Sequence, residues 1–393
     1  MNTTPTHEIV VLGAGYTGLI ATARLARYTR KLDTRITLVN PSPRFTERLR
    51  MHQVAAGQKL TDFRIPDLLK GTGVKFHQAT VTAIGTDDRI VTLDDGSVLH
   101  YDSLVYALGS TTDTSRVPGA ADHAWTLDDP RLAHRFSQRL HDIAAVGGTV
   151  TVCGGGLTGI EAAAEIAEAQ PGLTVRLVSA TEPGSMMGEK ARAYLNRALD
   201  RLGVVRMVGV AVTKVLPDAV RLDTGELVPS DLILWTTGVR VSPLAAQAGI
   251  ATDARGLIRT DPTLRSVSHP EIHAVGDAAS VRQAWGQLHG TCQSGVVTAD
   301  YTATVIARLL RGKTVKPLRF GYFHQPVSLG RKDAVIQFTN ADDTPNRWHL
   351  VGKAAVIYKE QVSSTPPVAA KLSRYVKLPV QLSKGGRATR KNA

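Results

Sequence analysis

An α/β fold with two doubly wound units and a small C-terminal α+β segment is the architecture this sequence predicts. Three observations carry it. The glycine fingerprint Gly13-Ala14-Gly15-Tyr16-Thr17-Gly18 lies between an apolar run and a helical pattern, and Gly154-Gly155-Gly156-Leu157-Thr158-Gly159 repeats that layout in mid-chain. After each fingerprint the same cadence returns: a hairpin at a DG or TG pair leads into an apolar strand that stops at glycine. A turn of this kind binds one dinucleotide, because its glycines let the backbone approach a pyrophosphate resting on helix N-terminal amides. Two of them imply two dinucleotides held together, with a hydride passed between them.

The elements follow in order. Ile9-Val10-Val11-Leu12 is the first strand, residues 19–25 open the first helix, and Ile36-Thr37-Leu38-Val39 ends at Asn40, where an acidic residue commonly binds a ribose hydroxyl. Residues 45–53 have helical character, and residues 74–98 alternate around turns as a small antiparallel meander. The next strand, Leu104-Val105-Tyr106-Ala107-Leu108, stops at Gly109. In the second copy, Val150-Thr151-Val152-Cys153 precedes the glycines, a helix spans 160–169, and Val175-Arg176-Leu177-Val178 ends at Ser179. Residues 220–226 and the strand Leu232-Ile233-Leu234-Trp235, which runs to Gly238, repeat the cadence. Finally Ile272-His273-Ala274-Val275 enters Gly276-Asp277. Two readings stay open there: Gly276 admits a cofactor while Asp277 accepts from a polyol chain, or Asp277 is an ordinary helix N-cap.

Length and composition narrow the class. A chain of 393 residues, 43% hydrophobic, has room for two or three domains with sizeable cores. The start, Met1 to Glu8, is polar and does not read as a secretory signal, and no run of about 18 apolar residues predicts a spanning helix. Cys153 and Cys292, far apart and in no CxxC pair, argue against a disulfide framework or a metal site and fit a reducing cytoplasm. The net charge is +13, and Lys371, Arg374, Lys377, Lys384, Arg387, Arg390 and Lys391 form an end without acidic residues. That end reads either as a solvated tail or as weak peripheral attraction to an anionic membrane surface. Nucleic-acid binding is not expected, for no recognised motif accompanies the charge.

The order of these motifs resembles the two-dinucleotide flavoprotein reductases, and within them the type II NADH dehydrogenases and their soluble relatives. The resembling residues are the two fingerprints with Glu161, Ala107-Leu108-Gly109, Trp235-Thr236-Thr237-Gly238-Val239, Ala274-x-Gly276-Asp277, Thr291-Cys292-Gln293 and the run from Leu329-Gly330-Arg331 to Val335. Coverage runs over residues 9–338. The resemblance implies two Rossmann-like dinucleotide-binding domains in the glutathione reductase-like arrangement: residues 1–112 and 251–318 for FAD, 113–250 for the nicotinamide cofactor, and 319–393 as a C-terminal domain with a basic tail. It implies FAD along Gly13, Gly15, Tyr16, Thr17 and Gly18, with Asn40 at the adenosine ribose, Val81 at the adenine through its backbone, Ala107 and Gly109 at the strand end, and Gly276 and Asp277 at the ribityl chain. NADH would lie along Gly154, Gly156, Leu157, Thr158 and Gly159, with Ser179 at its ribose, Gly238 closing over it and Glu161 near the nicotinamide end. Gln293 would contact the isoalloxazine or the electron acceptor.

Departures from the family pattern carry information too. Asn40 stands in for an acid but still accepts hydrogen bonds. Ser179 stands where NAD-binding relatives often carry Glu, and no basic residue follows before Lys190 to hold a 2′-phosphate, so NADH is expected over NADPH. Disulfide reductases carry a redox Cys pair after the first βαβ unit, but Arg48 and Gln53 occupy those places here. Electrons would therefore leave the flavin directly. Arg48 and His52, one helical turn apart, either face the isoalloxazine and stabilise reduced flavin or lie on a polar helix surface. The expected acceptor is a quinone. The alternatives are a soluble reductase serving an acidic redox protein, a biosynthetic intermediate or oxygen, and a nucleotide-sensing flavoprotein resembling apoptosis-inducing factor. A cytoplasmic protein is expected, with peripheral contact at the inner membrane face and homodimerisation as further options.

Overall fold

In a computed structural model, which describes residues 6–373 and 383–389, both fingerprints sit where an apolar parallel strand meets a helix. The first sheet has five strands, all parallel, in the order Ile272–Ala274, Ser103–Tyr106, His7–Leu12, Thr34–Asn40 and Lys75–Gln78. Its central strands are apolar without alternation because both faces are covered, as parallel sheets require. The helix Tyr16–Thr29 packs on the long helix Cys292–Leu309. At that contact the fully buried Arg24 lies 3.2 Å from Asp300.

The second sheet has four parallel strands, Val205–Val208, Thr174–Ser179, Thr149–Cys153 and Leu232–Trp235. A three-stranded antiparallel meander accompanies each sheet, Val81–Gly85 to Val98–His100 in one half and Val212–Val215 to Leu227–Pro229 in the other. The duplicated cadence thus corresponds to a duplicated fold. One expectation needs correction here: Lys75–Gln78 is not meander but the edge strand of the parallel sheet, paired with Thr37 to Asn40. Residues 45–53 are likewise helical only in part, since a 3-10 turn starts at Arg48 and an α-helix covers Met51–Ala55. Phe45 instead bonds to the backbone of Phe63.

Two large cores, with two smaller clusters beside them, organise the described residues. The first joins residues 9–107 to residues 245–320, so the strands before and after the second unit build one layer. The second lies under the mid-chain sheet, but Met51, Val54 and Ala55 enter it from one side and Val327, Leu329 and Val335 from the other. Two short strands, Ser110–Thr112 and Val239–Val241, pair antiparallel and tie the units together. The C-terminal α+β segment is a three-stranded antiparallel sheet from His324 to Val351, followed by the helix Gly352–Leu372, which runs through Pro366 and Pro367 and buries Ala369 and Ala370 in the first core. Among the described residues no helix is long and apolar enough to cross a membrane. Of the basic tail, Arg374, Lys377, Arg390 and Lys391 lie outside the described residues, as do Met1 to Pro5 at the start.

Candidate active site

The two glycine turns divide their glycines by task. A Cβ on Gly18 would stand 1.8 Å from the Gly13 carbonyl oxygen, and one on Gly13, at φ +92°, 2.5 Å from that of Ala107. The second turn repeats this: a Cβ on Gly159 would stand 1.8 Å from the Gly154 oxygen, with Gly154 at φ +122°. These four glycines close the strand onto the helix. The middle ones, Gly15 and Gly156, face nothing within 4 Å, and each is the N-cap of a helix that no side chain caps. The amides of both first turns are therefore free to meet a pyrophosphate. That cradle, present twice, fits two dinucleotides.

Asn40 is committed: its Oδ1 accepts from the Ala14 N–H at 2.9 Å and its Nδ2 donates to the Ser42 carbonyl at 2.8 Å, so it buttresses the first turn. Ser179 plays the matching part in the second, donating to the Thr181 carbonyl at 2.7 Å from directly beneath Gly155. Val81 is buried at the start of its strand, Leu157 is half-buried and Thr158 exposed at the start of its helix, and Gly238 turns at φ +79° beside Asp113.

The junction at Gly276 is a 3-10 turn without a side-chain cap, so Asp277 does not serve as a helix cap. Its Oδ2 instead accepts from the Ser110 hydroxyl at 2.7 Å, and a Cβ on Gly290 would stand 2.5 Å from its Oδ1. Gly276 and Gly295 both close over the Thr17 hydroxyl, which brings Thr17, Gly276 and Asp277 to one place. Arg48 joins them from the side: its guanidinium donates to the Ser110 carbonyl and pairs with Asp128 at 2.8 Å.

His52 goes elsewhere. Arg48 and His52 do not meet at one place, since Arg48 reaches Ser110 and Asp128 while His52 lies against Glu161 and Glu165. Nor is His52 a surface residue. It is 2% exposed, with Nδ1 3.7 Å from Glu161 and Nε2 3.9 Å from Glu165, one turn further along the helix Leu157–Ala169. Lys359 lies 2.7 Å from Glu161, whose Oε1 also accepts the Ser328 N–H at 3.0 Å. Burial works against charge on Glu161, yet Lys359, His52 and the Ser328 amide outweigh it and hold the carboxyl below its usual range. Burial pushes His52 down to about 4. Glu165, whose burial outweighs Arg331 at 3.4 Å, is pushed up to about 7.

Gln293 stands in the first turn of Cys292–Leu309, capped by Thr291 and Ser294, and its Nε2 points to the His324 carbonyl at 3.4 Å. Burial pushes both thiols, Cys153 and Cys292, up to about 12, so neither is a thiolate and they have no disulfide between them. Among the described residues no group of three or more His, Cys, Asp or Glu side chains is placed to hold a metal ion. Sequence reasoning missed Ser110, Glu165, Ser328 and Lys359. Glu165 left a signal, four residues after Glu161 on one helix; Ser328 and Lys359 reach the site from distant chain and left none.

Residues 7–295 match the family model of the pyridine nucleotide-disulphide oxidoreductases. The chain belongs to this family. An NADH dehydrogenase-like protein of Mycobacterium tuberculosis is 32% identical over 84% of this chain and 87% of its own length. The demethylphylloquinone reductase of Synechocystis is 30% identical over 84% and 86%. In fold, the chain is similar to the sulfide:quinone oxidoreductase of Aquifex aeolicus, with a TM-score of 0.80 at 18% identity over 93% of this chain and 92% of that one. The expected likeness to the NADH dehydrogenase branch is thus borne out. This member of the pyridine nucleotide-disulphide oxidoreductases is an oxidoreductase that carries Arg48 and Gln53, not cysteines, after its first βαβ unit.

Proposed function

We propose that this oxidoreductase takes a hydride from NADH and passes the electrons, without a redox disulfide, to a quinone. FAD would lie along the turn at Gly15 and NADH along the turn at Gly156. When bound, the flavin supplies the two-electron chemistry between reduced nicotinamide and acceptor. The observation that carries this reading is the doubled cradle: two uncapped helix N-termini behind exposed glycines on one chain. The names of the relatives support the donor and the acceptor class.

The chain's own residues then have these tasks. Asp277, fixed by Ser110, accepts from the ribityl hydroxyls, and Arg48 anchors Ser110 from outside the cradle. Glu161 sets the charge near the nicotinamide, and Gln293 meets the isoalloxazine or the acceptor. NADH is favoured over NADPH because Arg206, on the strand beside Ser179, is already paired with Glu182 at 3.0 Å and Asp200 at 2.8 Å. A 2′-phosphate would have to displace those carboxylates.

An anaerobic absorption titration tests the reading. NADH bleaches the flavin band at lower concentration than NADPH, and a short-chain quinone restores it within the dead time of hand mixing. A band that NADH bleaches but only oxygen or a protein partner restores would eliminate the quinone. Purified, folded protein without a flavin band would eliminate FAD.

A further inference from the structure

Among the described residues, His52 is the one buried imidazole that touches two buried carboxylates, and its partners lie on successive turns of a single helix. Glu165, itself buried, forms one end of this row and meets solvent through its partners: it accepts from Gln58 at 2.9 Å and pairs with Arg331, which is 31% exposed. Glu161 is the other end of the row. Charge surrounds the imidazole on several sides: Glu47 and Arg50 come from its own segment, Glu161, Glu165 and Glu168 from the helix Leu157–Ala169, Arg331 from the loop after Ser328, and Lys359 and Glu360 from the helix Gly352–Leu372, while the helix Pro130–Ala144 packs on its segment with apolar Ala133, Phe136 and Leu140. Ser328 Oγ, 3.4 Å from Nε2, is a further polar neighbour.

We propose that His52 relays protons from Glu165 to Glu161 during acceptor reduction. The inference rests on the NADH:quinone reading. NADH gives two electrons and one proton as a hydride, while a quinone becoming a quinol takes two electrons and two protons, so each turnover draws one proton from solvent. Along the row, the O–H bond of Glu165 breaks as an N–H bond forms at His52 Nε2. The N–H bond at Nδ1 breaks as an O–H bond forms on Glu161, which gives the proton up on the acceptor's side. Exchange of the imidazole tautomer resets His52, and water beside Gln58 and Arg331 returns the proton to Glu165. The gaps of 3.7 and 3.9 Å are closed in turn by small rotations of the imidazole ring.

The test uses the full-length, flavin-loaded protein as wild type, His52→Gln and Glu165→Gln, each followed in its two half-reactions by stopped flow with a pH-indicator dye. The relay predicts that both variants slow quinone-driven return of the flavin band by roughly 100-fold, far more than they slow bleaching by NADH. The delay should grow with pH, and proton uptake should lag colour return. An infrared band from a protonated carboxylic acid in the resting protein, lost in E165Q and shifted in H52Q, is a readout independent of turnover. Equal slowing of both halves, no slowing, or an unchanged pH profile in variants that only melt earlier would assign His52 a structural role and overturn the relay. Should one variant fail to fold, the other decides. Wild type that NADH does not bleach, or that quinone does not restore, overturns the underlying reading instead.

Discussion

Gly18 and Gly15 are three residues apart and answer to different constraints. At Gly18 a methyl group would enter the Gly13 carbonyl, whereas at Gly15 it would project into the open cradle. Gly18→Ala is therefore expected to open the strand-helix junction and to lower the melting temperature along with the flavin content. Gly15→Ala is expected to keep the melting temperature of the cofactor-free protein within a few degrees while losing flavin, read as the visible-to-ultraviolet absorbance ratio. The buried histidines set a pH limit. Burial lowers His52 and His324 to about 4 and His273 to about 3, so folding requires them neutral. Their contribution is complete above about pH 6.5 and is lost as the pH falls toward 4, at roughly 1.4 kcal/mol per pH unit for each that must charge in the unfolded chain. Glu165, raised to about 7, has the opposite sign: its contribution is present below about pH 4.5 and is lost as the pH rises through 7. Glu165→Gln should thus leave the histidine loss uncompensated between pH 4.5 and 6.5, as urea midpoints across that range would register.

At the scale of elements, the turn after His324–Ser328 is clasped by the second unit's helix. Ser328 donates its N–H to Glu161, Arg331 donates its N–H to Glu168 at 2.5 Å, and Gly330 turns at φ +84° with the Glu168 carboxylate pressed against it. A Cβ on Gly330 would lie 2.8 Å from that carboxylate. Gly330→Ala combines strain at positive φ with this clash and is expected to cost about 1–3 kcal/mol, measured by chemical denaturation. Because the same turn carries Ser328 past His52, the variant should also slow quinone reduction more than it raises the KM for NADH.

Across the whole molecule, four parts of the chain converge on one buried charge cluster: the Met51–Ala55 helix, the helix after the second fingerprint, the turn with Ser328 and Arg331, and the C-terminal helix through Lys359. Lys359 is nearly buried, and its removal would leave Glu161 without its closest cation. Lys359→Met is expected to destabilise the protein by about 3–5 kcal/mol, with a matching fall in melting temperature. The additional double replacement Glu161→Gln should recover part of that loss, since no uncompensated charge then remains.

The βαβ turns, the two meanders and the glycine cradles were legible in the sequence because each is local: glycines at fixed spacing, an apolar run before them and a helix after them specify one βαβ turn without distant help. The edge strand Lys75–Gln78 was misassigned to the meander because its short polar-flanked pattern suits either partner, and only the exposed edge of the first sheet chose. Asn40 and Ser179 were legible as positions, but their contacts within the fold, to the Ala14 N–H and the Thr181 carbonyl, were not, since the backbone around each turn sets them. The row from Glu165 through His52 to Glu161, capped by Lys359, was beyond any reading of the chain. Its members are spread over three hundred residues, and they share a site because the segments that carry them pack at the second core, where buried charges must find one another.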